Sequence, residues 1–313
     1  MKIIELFAGI GTQRKAFEKV FKNCETIAIS EIDTRPLKIY NHLFKDCPNL
    51  GDITKIKELP YADIWTYSFP CTDLSIAGNQ VGLTGKNSSL LYEVLRLLKS
   101  SEKPKILLME NVANLVSDKF INGFKEWIEL LSEEGYTTTW LKMKSSDYGG
   151  ITIRNRVFAV SILGNQSFIF PKKEKTDIVV KDILLPIRED CFVDNYEYKD
   201  FPKNISNSIK ICDYNNGGQG NRIYSINGKA ITLTATGGGK GGSSGLYLRK
   251  EGLYKLSGIE MARVMGWNLE DSIKMSEVAS NRELGFCLGN GIDLIVLTKI
   301  AEEIKKQVIF END

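Results

Sequence analysis

Alternating strand-like and helix-like segments fill the first half of the chain, and this pattern restricts the fold more than any other feature. Apolar runs of strand length begin at Ile3, Glu25, Asp63 and Lys105, and each interval between them carries a helical pattern. Such alternation predicts a mostly parallel sheet with helices on both faces. The expected strands are Ile3–Phe7, Glu25–Ser30, Asp63–Ser68, Lys105–Glu110, Tyr136–Met143 and Arg156–Ile162, and the expected helices are Thr12–Phe21, Arg35–Phe44, Leu90–Lys99 and Phe120–Glu133.

The pattern changes after Gly164. A charged stretch, Lys172–Lys175, is followed by short β-like pieces that Asn and Gly clusters interrupt, and helical periodicity returns from Ser257. We therefore expect three parts: a large α/β domain over residues 1–170, a small β-rich domain over 171–256, and a hinge and C-terminal segment, 257–313, that returns to the large domain.

The bulk composition is that of a soluble globular protein, with 42% hydrophobic and 26% charged residues among 313. No apolar stretch approaches the roughly 20 residues of a membrane helix, and the N-terminus lacks the pattern of a signal peptide. The six cysteines form no CxxC pair and His42 is the only histidine, so no metal site is expected. These features favour a cytoplasmic protein with free thiols.

Charge is distributed unevenly along the chain. The net charge is only +2, but the segment from Lys203 to Lys255 holds eight basic and two acidic residues. A basic segment on a slightly acidic body is typical of a module that faces a polyanion. A solvated, lysine-rich loop region has nearly the same signature, so charge alone does not decide between the two.

The first apolar run ends in a glycine turn, Gly9-Ile10-Gly11, ahead of a predicted helix. Glycines allow a close approach to a ligand, and Glu31, at the end of the next strand, is placed to accept both hydroxyls of a ribose. Arg14 stands where a nicotinamide-dinucleotide fingerprint has its third glycine, which disfavours a dehydrogenase. Asp52 is a candidate acceptor for an adenine amino group, or an ordinary turn residue.

Two residues at predicted strand ends carry reactive groups. Cys71 follows Phe69 and Pro70 where ligands bind in open α/β sheets, and the glycine-bearing stretch after it is expected to form a loop. Glu110 ends an apolar strand, where a carboxyl group is costly without a partner or a role. Further on, strand alternation predicts that Arg154 and Arg156 share one face, either as a surface pair or as a clamp on phosphate and carbonyl groups.

Together these motifs resemble the cytosine-C5 DNA methyltransferases, and the resemblance covers nearly the whole chain. The motifs, in the family's order, are FAGIG (7–11), GDI (51–53), SFPC (68–71), MENV (109–112), RNRVF (154–158) and LGNG (288–291). The stretches GGQGNRIYS (217–225), AITLTATGGG (230–239) and ARVMGW (262–267) are similar to the HhaI-type bacterial restriction-modification methyltransferases. The resemblance implies a Rossmann-like S-adenosylmethionine-dependent methyltransferase fold with a small β-rich target-recognition domain.

The resemblance also implies a reaction and the residues that perform it. A cytosine is flipped out of duplex DNA, Cys71 adds to its C6 atom, Glu110 engages N3 and the amino group, and Arg154 and Arg156 stabilise the O2 side. S-adenosylmethionine is the implied methyl donor. Its implied contacts are Phe7, Gly9, Ile10, Gly11, Glu31, Ile32, Asp52, Ile53, Pro70, Leu90 and Asn290.

The basic segment is the implied target-recognition domain. The implied DNA contacts are Ser75, Gln219, Arg222, Tyr224 and Lys240, with Arg222 able to read guanine through two donors. A short palindrome similar to GCGC, read by a monomer, is the expected site. A cognate restriction endonuclease, an orphan role and a phage origin all remain open.

Four positions depart from the family pattern: Thr152, Ile32, Asn87 and Gly291 replace a glutamine, an aromatic residue, an arginine and a serine. They bear on loop closure and cofactor affinity rather than on the reaction class. An RNA cytosine methyltransferase and a non-catalytic DNA-binding relative are the alternatives, and retention of Cys71 and Glu110 argues against the latter.

Overall fold

A six-stranded sheet forms the centre of the computed structural model, which describes residues 1–44, 47–70, 90–195, 208, 210–214 and 218–310. The strand order is β2-β1-β3-β4-β6-β5; the first four strands are parallel, and β6 runs antiparallel to both β4 and β5. The strands are β1 (Lys2–Leu6), β2 (Glu25–Ser30), β3 (Ile64–Tyr67), β4 (Ile106–Val112), β5 (Tyr136–Lys144) and β6 (Asn155–Leu163).

Helices cover both faces of this sheet because successive strand residues point to opposite sides. On β1, Ile3 joins one apolar core with Phe17 of the first helix, whereas Ile4 and Leu6 join another with Trp65. The α/β fold with a mostly parallel sheet is therefore confirmed. The helices of this half are α1 (Thr12–Val20), α2 (Thr34–Leu43), α3 (Leu90–Ser100) and α4 (Ile121–Glu133).

Strand register brings the carboxyl ends of the parallel strands to one edge. Leu6 pairs with Ser30 and with Tyr67, and Tyr67 pairs with Met109. Most expected strand ends differ from the observed ones by at most one residue, but β4 continues past Glu110 to Val112, because β6 supplies antiparallel partners for these last residues.

The insert contains a second sheet of five strands in the order β7-β11-β10-β9-β8. One face has a small apolar cluster, which includes Ile223 and Leu246, and Tyr224 and Tyr247 belong to the core shared with the large sheet. The β-rich character of the insert matches the sequence analysis, while domain limits at residues 170 and 256 remain a prediction. Its strands are β7 (Phe192–Asp194), β8 (Lys210–Asp213), β9 (Arg222–Ser225), β10 (Leu246–Arg249) and β11 (Gly252–Lys255).

Four helices return the chain to the large sheet, where α8 packs on α1. They are α5 (Gly258–Val264), α6 (Leu269–Val278), α7 (Asn281–Asn290) and α8 (Leu294–Gln307). Within the described ranges, no single helix has the length and apolar composition needed to cross a membrane, although the bent pair α7–α8 would meet both criteria together.

Candidate active site

A cavity of about 590 Å³ opens at the carboxyl ends of the parallel strands. This volume lies within the roughly 300–1,000 Å³ of typical small-molecule sites, and strand carboxyl ends are where open α/β sheets bind ligands. The cavity brings together Glu110 and Arg156 with most of the expected cofactor contacts. These are Phe7, Gly9, Ile10, Glu31, Ile32, Asp52, Ile53, Pro70, Leu90 and Asn290.

The turn between β1 and α1 forms one wall of this cavity, and part of its backbone has the left-handed conformation. Phe7, Gly9 and Gly11 all have positive φ angles, of 59°, 58° and 80°, and Gly11 caps α1. Gly11 does not line this cavity, and its contact with the cofactor stays a prediction. A Cβ atom there would lie 2.5 Å from the Phe44 ring and 2.8 Å from Tyr40, so packing beneath the turn accounts for this glycine.

Glu31 lies half-buried at the end of β2 and is held by backbone donors. Its Oε2 accepts from the Gly9 N–H at 2.9 Å and its Oε1 from the Asp33 N–H at 2.8 Å. Burial raises the pKa of this carboxyl, and the two backbone hydrogen bonds oppose the rise. Each oxygen retains accepting capacity, so the group can take hydrogen bonds from two neighbouring hydroxyls.

Asp52 and its neighbours form the next part of the wall. The Oδ1 atom of Asp52 accepts from the N–H and the hydroxyl of Thr54, which holds the pKa of this carboxyl below its usual value. Asp52 therefore caps the short turn Ile53–Lys55 and also lines the cavity. Ile32 is 72% exposed at the rim, which is an apolar surface for a flat ring to pack on.

Glu110 and Arg156 form a buried ion pair at the inner end of the cavity. Arg156 Nε lies 3.1 Å from Glu110 Oε1, and the two residues occupy neighbouring strands β4 and β6. Burial raises the pKa of the Glu110 carboxyl, while the positive charges of Arg156 and Arg154 oppose that rise. A carboxyl group that keeps its proton to higher pH can act as a hydrogen-bond donor.

The end of β3 is tied to β4 at this point. Asn111 Nδ2 donates to the Phe69 carbonyl at 3.1 Å, and Pro70 lines the cavity. This places the residue that precedes Cys71 at the same edge as Glu110, as expected for neighbouring parallel strands. Cys71, Ser75 and Asn87 lie outside the described residues.

Arg154 and Arg156 bind different partners, although we expected them to share one face. Arg154 is 1% exposed, and its guanidinium donates to the Leu233 carbonyl at 3.2 Å and to the carbonyls of Gly289 and Gly291 at 2.8 and 2.5 Å. A surface pair is therefore ruled out for Arg154, whose observed partners are carbonyls of the chain itself, and the clamp on phosphate and carbonyl groups of a ligand stays a prediction.

The insert presents two of the expected DNA contacts at its surface. Arg222 begins β9 and Lys240 lies in a glycine loop, and both side chains are exposed. The two segments are joined, since the Lys240 N–H donates to Asn221 Oδ1 at 2.9 Å. Tyr224 requires a correction: it is 6% exposed and its ring lies against Tyr247, so it is a core residue. The Gln219 side chain lies outside what the structure describes.

Sequence reasoning missed several residues of the cavity wall, among them Gln13, Ser68 and Phe286. Gln13 is buried in the first turn of α1, with its Nε2 3.5 Å from the Ser68 hydroxyl. A glutamine two residues after a glycine turn was a usable signal for Gln13. Phe286 enters from α7, far away in sequence, and its ring lies under Arg35 at 3.7 Å, for which the sequence offered no signal.

Another cavity, of about 470 Å³, is lined by Lys2, Glu25 and Asp63 at the amino ends of the strands. It lies away from the glycine turn and from Glu110, at the sheet edge where ligands of such folds do not usually bind. Among the residues that the structure describes, no group of three His, Cys, Asp or Glu side chains could hold a metal ion.

Comparisons with known proteins agree with this geometry. The family model for C-5 cytosine-specific DNA methylase matches residues 1–306. The chain is 33% identical to the type II methyltransferase M.HhaI of Haemophilus parahaemolyticus, over 99% of this chain and 96% of that protein. It is 28% identical to the orphan methyltransferase M.SssI of Spiroplasma monobiae, over 97% of each. The structure of the Entamoeba histolytica methyltransferase EhMeth has a similar fold, with a TM-score of 0.78, 18% identity and 98% coverage of both chains.

The cavity also fits the methyl donor that these enzymes use. A carboxylate with two accepting oxygens beside a glycine turn suits a ribose, and an apolar rim next to Asp52 suits an adenine ring. The chain belongs to the C-5 cytosine-specific DNA methylase family: it is a DNA (cytosine-5-)-methyltransferase that uses S-adenosylmethionine.

Proposed function

We propose that this enzyme methylates one cytosine within a short duplex site, after that base has left the helix, through a covalent bond to Cys71. One observation carries the proposal: the buried Glu110–Arg156 pair and the expected cofactor contacts line a single cavity. A base and a methyl donor that occupy this cavity together can meet. Since the cavity lies at the end of the sheet, a base must leave its stack to enter it.

Glu110 would bind the edge of the flipped cytosine. With its proton retained, the carboxyl group donates to N3 and accepts from the amino group of the base, which matches the pattern of that edge. The burial that raises the pKa of Glu110 supports this protonation state. A proton shared with N3 draws electrons from the ring and makes C6 more electrophilic.

Cys71 would supply the nucleophile. Its thiolate forms a bond to C6, and the π electrons of the C5–C6 double bond move to C5. When bound, S-adenosylmethionine would supply an electrophilic methyl group for C5, and the electron pair of the broken sulfur–methyl bond would stay on sulfur, which leaves neutral S-adenosylhomocysteine. Loss of the C5 proton to solvent then returns two electrons to the C5–C6 bond and expels the Cys71 thiolate.

Arg156 would orient Glu110 and stabilise the charge that develops on the base. Its guanidinium is paired with Glu110 and is mostly buried, so the O2 oxygen of the bound cytosine would meet a fixed positive charge. Arg154, whose guanidinium lies on three backbone carbonyls, is assigned a positioning role.

The methyl donor would be held by the remaining wall of the cavity. Glu31 would accept the ribose hydroxyls, Asp52 the adenine amino group, and Ile32 and Ile53 would pack on the ring. Phe7, Pro70, Leu90 and Asn290 would complete the contacts.

The exposed side chains of the insert would read the DNA, with Arg222 on guanine and Lys240 on phosphate or base. We expect the enzyme to act as a monomer in the cytoplasm. Its expected recognition site is a palindrome similar to GCGC. A restriction endonuclease with the same site is the proposed partner, in keeping with the name of the type II relative.

Trapping of the covalent adduct tests this mechanism directly. A duplex in which 5-fluorocytosine replaces the target base has no C5 proton to lose, so the Cys71–C6 bond should persist after methyl transfer. Mass spectrometry of the digested complex should find the modified base on the peptide with Cys71. The Cys71→Ser variant should give no such product, and attachment to another residue, or to RNA only, would overturn the proposal.

A further inference from the structure

We infer that Arg154 is a positioning residue that couples the DNA-reading insert to the cofactor cavity, so that DNA and cofactor strengthen each other's binding through this side chain. The inference rests on the proposed function, because it assigns the insert to DNA. It adds a role for a residue that does not itself line the cofactor cavity.

The contacts of Arg154 span two segments that are distant in sequence. One guanidinium nitrogen donates to Leu233, in the stretch that follows β9, and the other donates to Gly289 and Gly291 at the end of α7. A buried cation costs free energy unless polar groups surround it, and here three carbonyl dipoles do so. The planar guanidinium therefore fixes the distance between the two segments.

The same two segments also touch directly. A Cβ atom on Gly289 would lie 2.3 Å from the Ala235 nitrogen and 2.4 Å from the Thr234 carbonyl carbon, so only glycine allows this approach. The insert stretch is anchored on its other side as well, since Thr152 Oγ1 donates to the Ile231 carbonyl at 3.0 Å. Arg154 thus lies at a junction of three chain segments.

Of the two segments that Arg154 contacts, one is continuous with the proposed DNA-reading loop and the other lines the cofactor cavity. The stretch 230–235 continues into the glycine loop that carries the exposed Lys240, whereas Gly289, Asn290 and Gly291 line the cofactor cavity. Any shift of the loop on contact with DNA is transmitted to the cavity wall through the junction. Coupling of this kind is reciprocal, so each ligand changes the affinity for the other by the same factor.

The test measures this coupling factor. The dissociation constant of S-adenosylhomocysteine, the methyl-free product, would be determined by calorimetry with and without a duplex that carries the methylated site. For the wild type we expect DNA to tighten binding by a factor within the roughly 5–150-fold range of such couplings. Arg154→Lys keeps the charge but cannot span three carbonyls, and the factor should fall below about 3-fold, under the lower end of that range.

Arg249→Lys is the matched control, because Arg249 is buried as Arg154 is, although it lies in the insert. Its partners are Glu260 at 2.6 Å and the Leu185 carbonyl at 3.1 Å, and it does not line the cofactor cavity. We expect this variant to lose thermal stability and to keep the wild-type coupling factor. A merely structural role for Arg154 predicts the same outcome for both variants.

A second variant keeps the inference testable if Arg154→Lys does not fold. Thr152→Val removes the hydrogen bond from Thr152 to the Ile231 carbonyl and leaves the buried charge of Arg154 in place. We expect this variant to lower the coupling factor partly. A wild-type coupling factor in either variant would overturn the inference. So would a wild-type enzyme that transfers methyl groups to DNA but shows no coupling, whereas absence of any transfer would instead count against the proposed function.

Discussion

The Nε atom of Arg156 lies 3.1 Å from Oε1 of Glu110, and both side chains are largely buried at the end of the central sheet. Antiparallel pairing of β4 with β6 brings these two residues together from positions 46 apart in sequence. The pair holds an acid whose pKa burial raises next to a permanent positive charge. This combination can donate a proton and stabilise negative charge at one place.

Glu110→Gln tests the acid. The amide keeps the size of the side chain and can hydrogen-bond the same edge of cytosine, but it cannot transfer a proton. We expect the rate of methyl transfer in single-turnover experiments to fall by roughly 10²–10⁴-fold, with DNA affinity nearly unchanged. Glu270→Gln, an exposed residue paired with Lys274, should retain the wild-type rate. A wild-type rate for Glu110→Gln would exclude Glu110 as the acid.

The pH profile gives a second test of the same group. Because the protonated carboxyl is the active form, the rate should fall as pH rises through the pKa of Glu110. Burial moves this fall to a higher pH than for an ordinary glutamate. Glu110→Gln should lack this fall across the same range in single-turnover measurements, while an unchanged profile would assign the transition to another group.

Glu31→Gln tests the cofactor contact. The amide offers one acceptor in place of two, and charged acceptors form the stronger hydrogen bonds, so the affinity for S-adenosylhomocysteine should fall by about 1.5–3 kcal/mol. Calorimetry measures this change. Glu25→Gln, at the opposite end of β2, should bind as the wild type does. Equal affinities for Glu31→Gln and wild type would place the ribose elsewhere.

Glu5 makes stability depend on pH. It is fully buried, accepts from Tyr40 and from the Arg14 N–H, and burial raises its pKa from 4.5 to about 7. The native state therefore holds a proton that the unfolded chain releases above pH 4.5, and the stability that this group contributes is lost as pH rises through 7. Between pH 5 and 8 the free energy of unfolding should fall by about 2–3 kcal/mol from this source.

Glu5→Gln isolates that contribution, since the amide does not titrate. Urea unfolding of both proteins at pH 5 and pH 8 should show a loss in the wild type that exceeds the loss in the variant by this amount. Parallel pH profiles of the two proteins would show that Glu5 is ionised in the native state throughout.

Arg222 and Lys240 should differ in what they contribute to DNA binding. Arg222→Ala should weaken binding to the recognition site by about 1–3 kcal/mol, as expected for a residue that reads a base edge. It should also relax the choice of base at one position of that site. If Lys240 contacts phosphate, Lys240→Ala should weaken binding to all sequences and reduce the slope of log K against log salt by about 1. Titrations over a range of salt concentrations distinguish the two, and identical behaviour would contradict the assignment.

Local patterns predicted the large sheet well, because strand and helix periodicities in the first half agree with their tertiary surroundings. The extension of β4 to Val112 was missed, since it depends on pairing with β6. Tyr224 lies against Tyr247 because β9 pairs with β10, and this pairing cannot be read from the pattern of one strand. Likewise, the partners of Arg154 are backbone carbonyls, and since every residue has one, the sequence does not indicate which of them a side chain contacts.

Transfer of labelled methyl groups from S-adenosylmethionine to duplex DNA, followed by bisulfite sequencing, is the most direct test of the central claim. The wild type should label C5 of cytosine within one short motif, and Cys71→Ala should label none. Transfer by the Cys71→Ala variant at the wild-type rate, or wild-type transfer to RNA alone, would contradict the account.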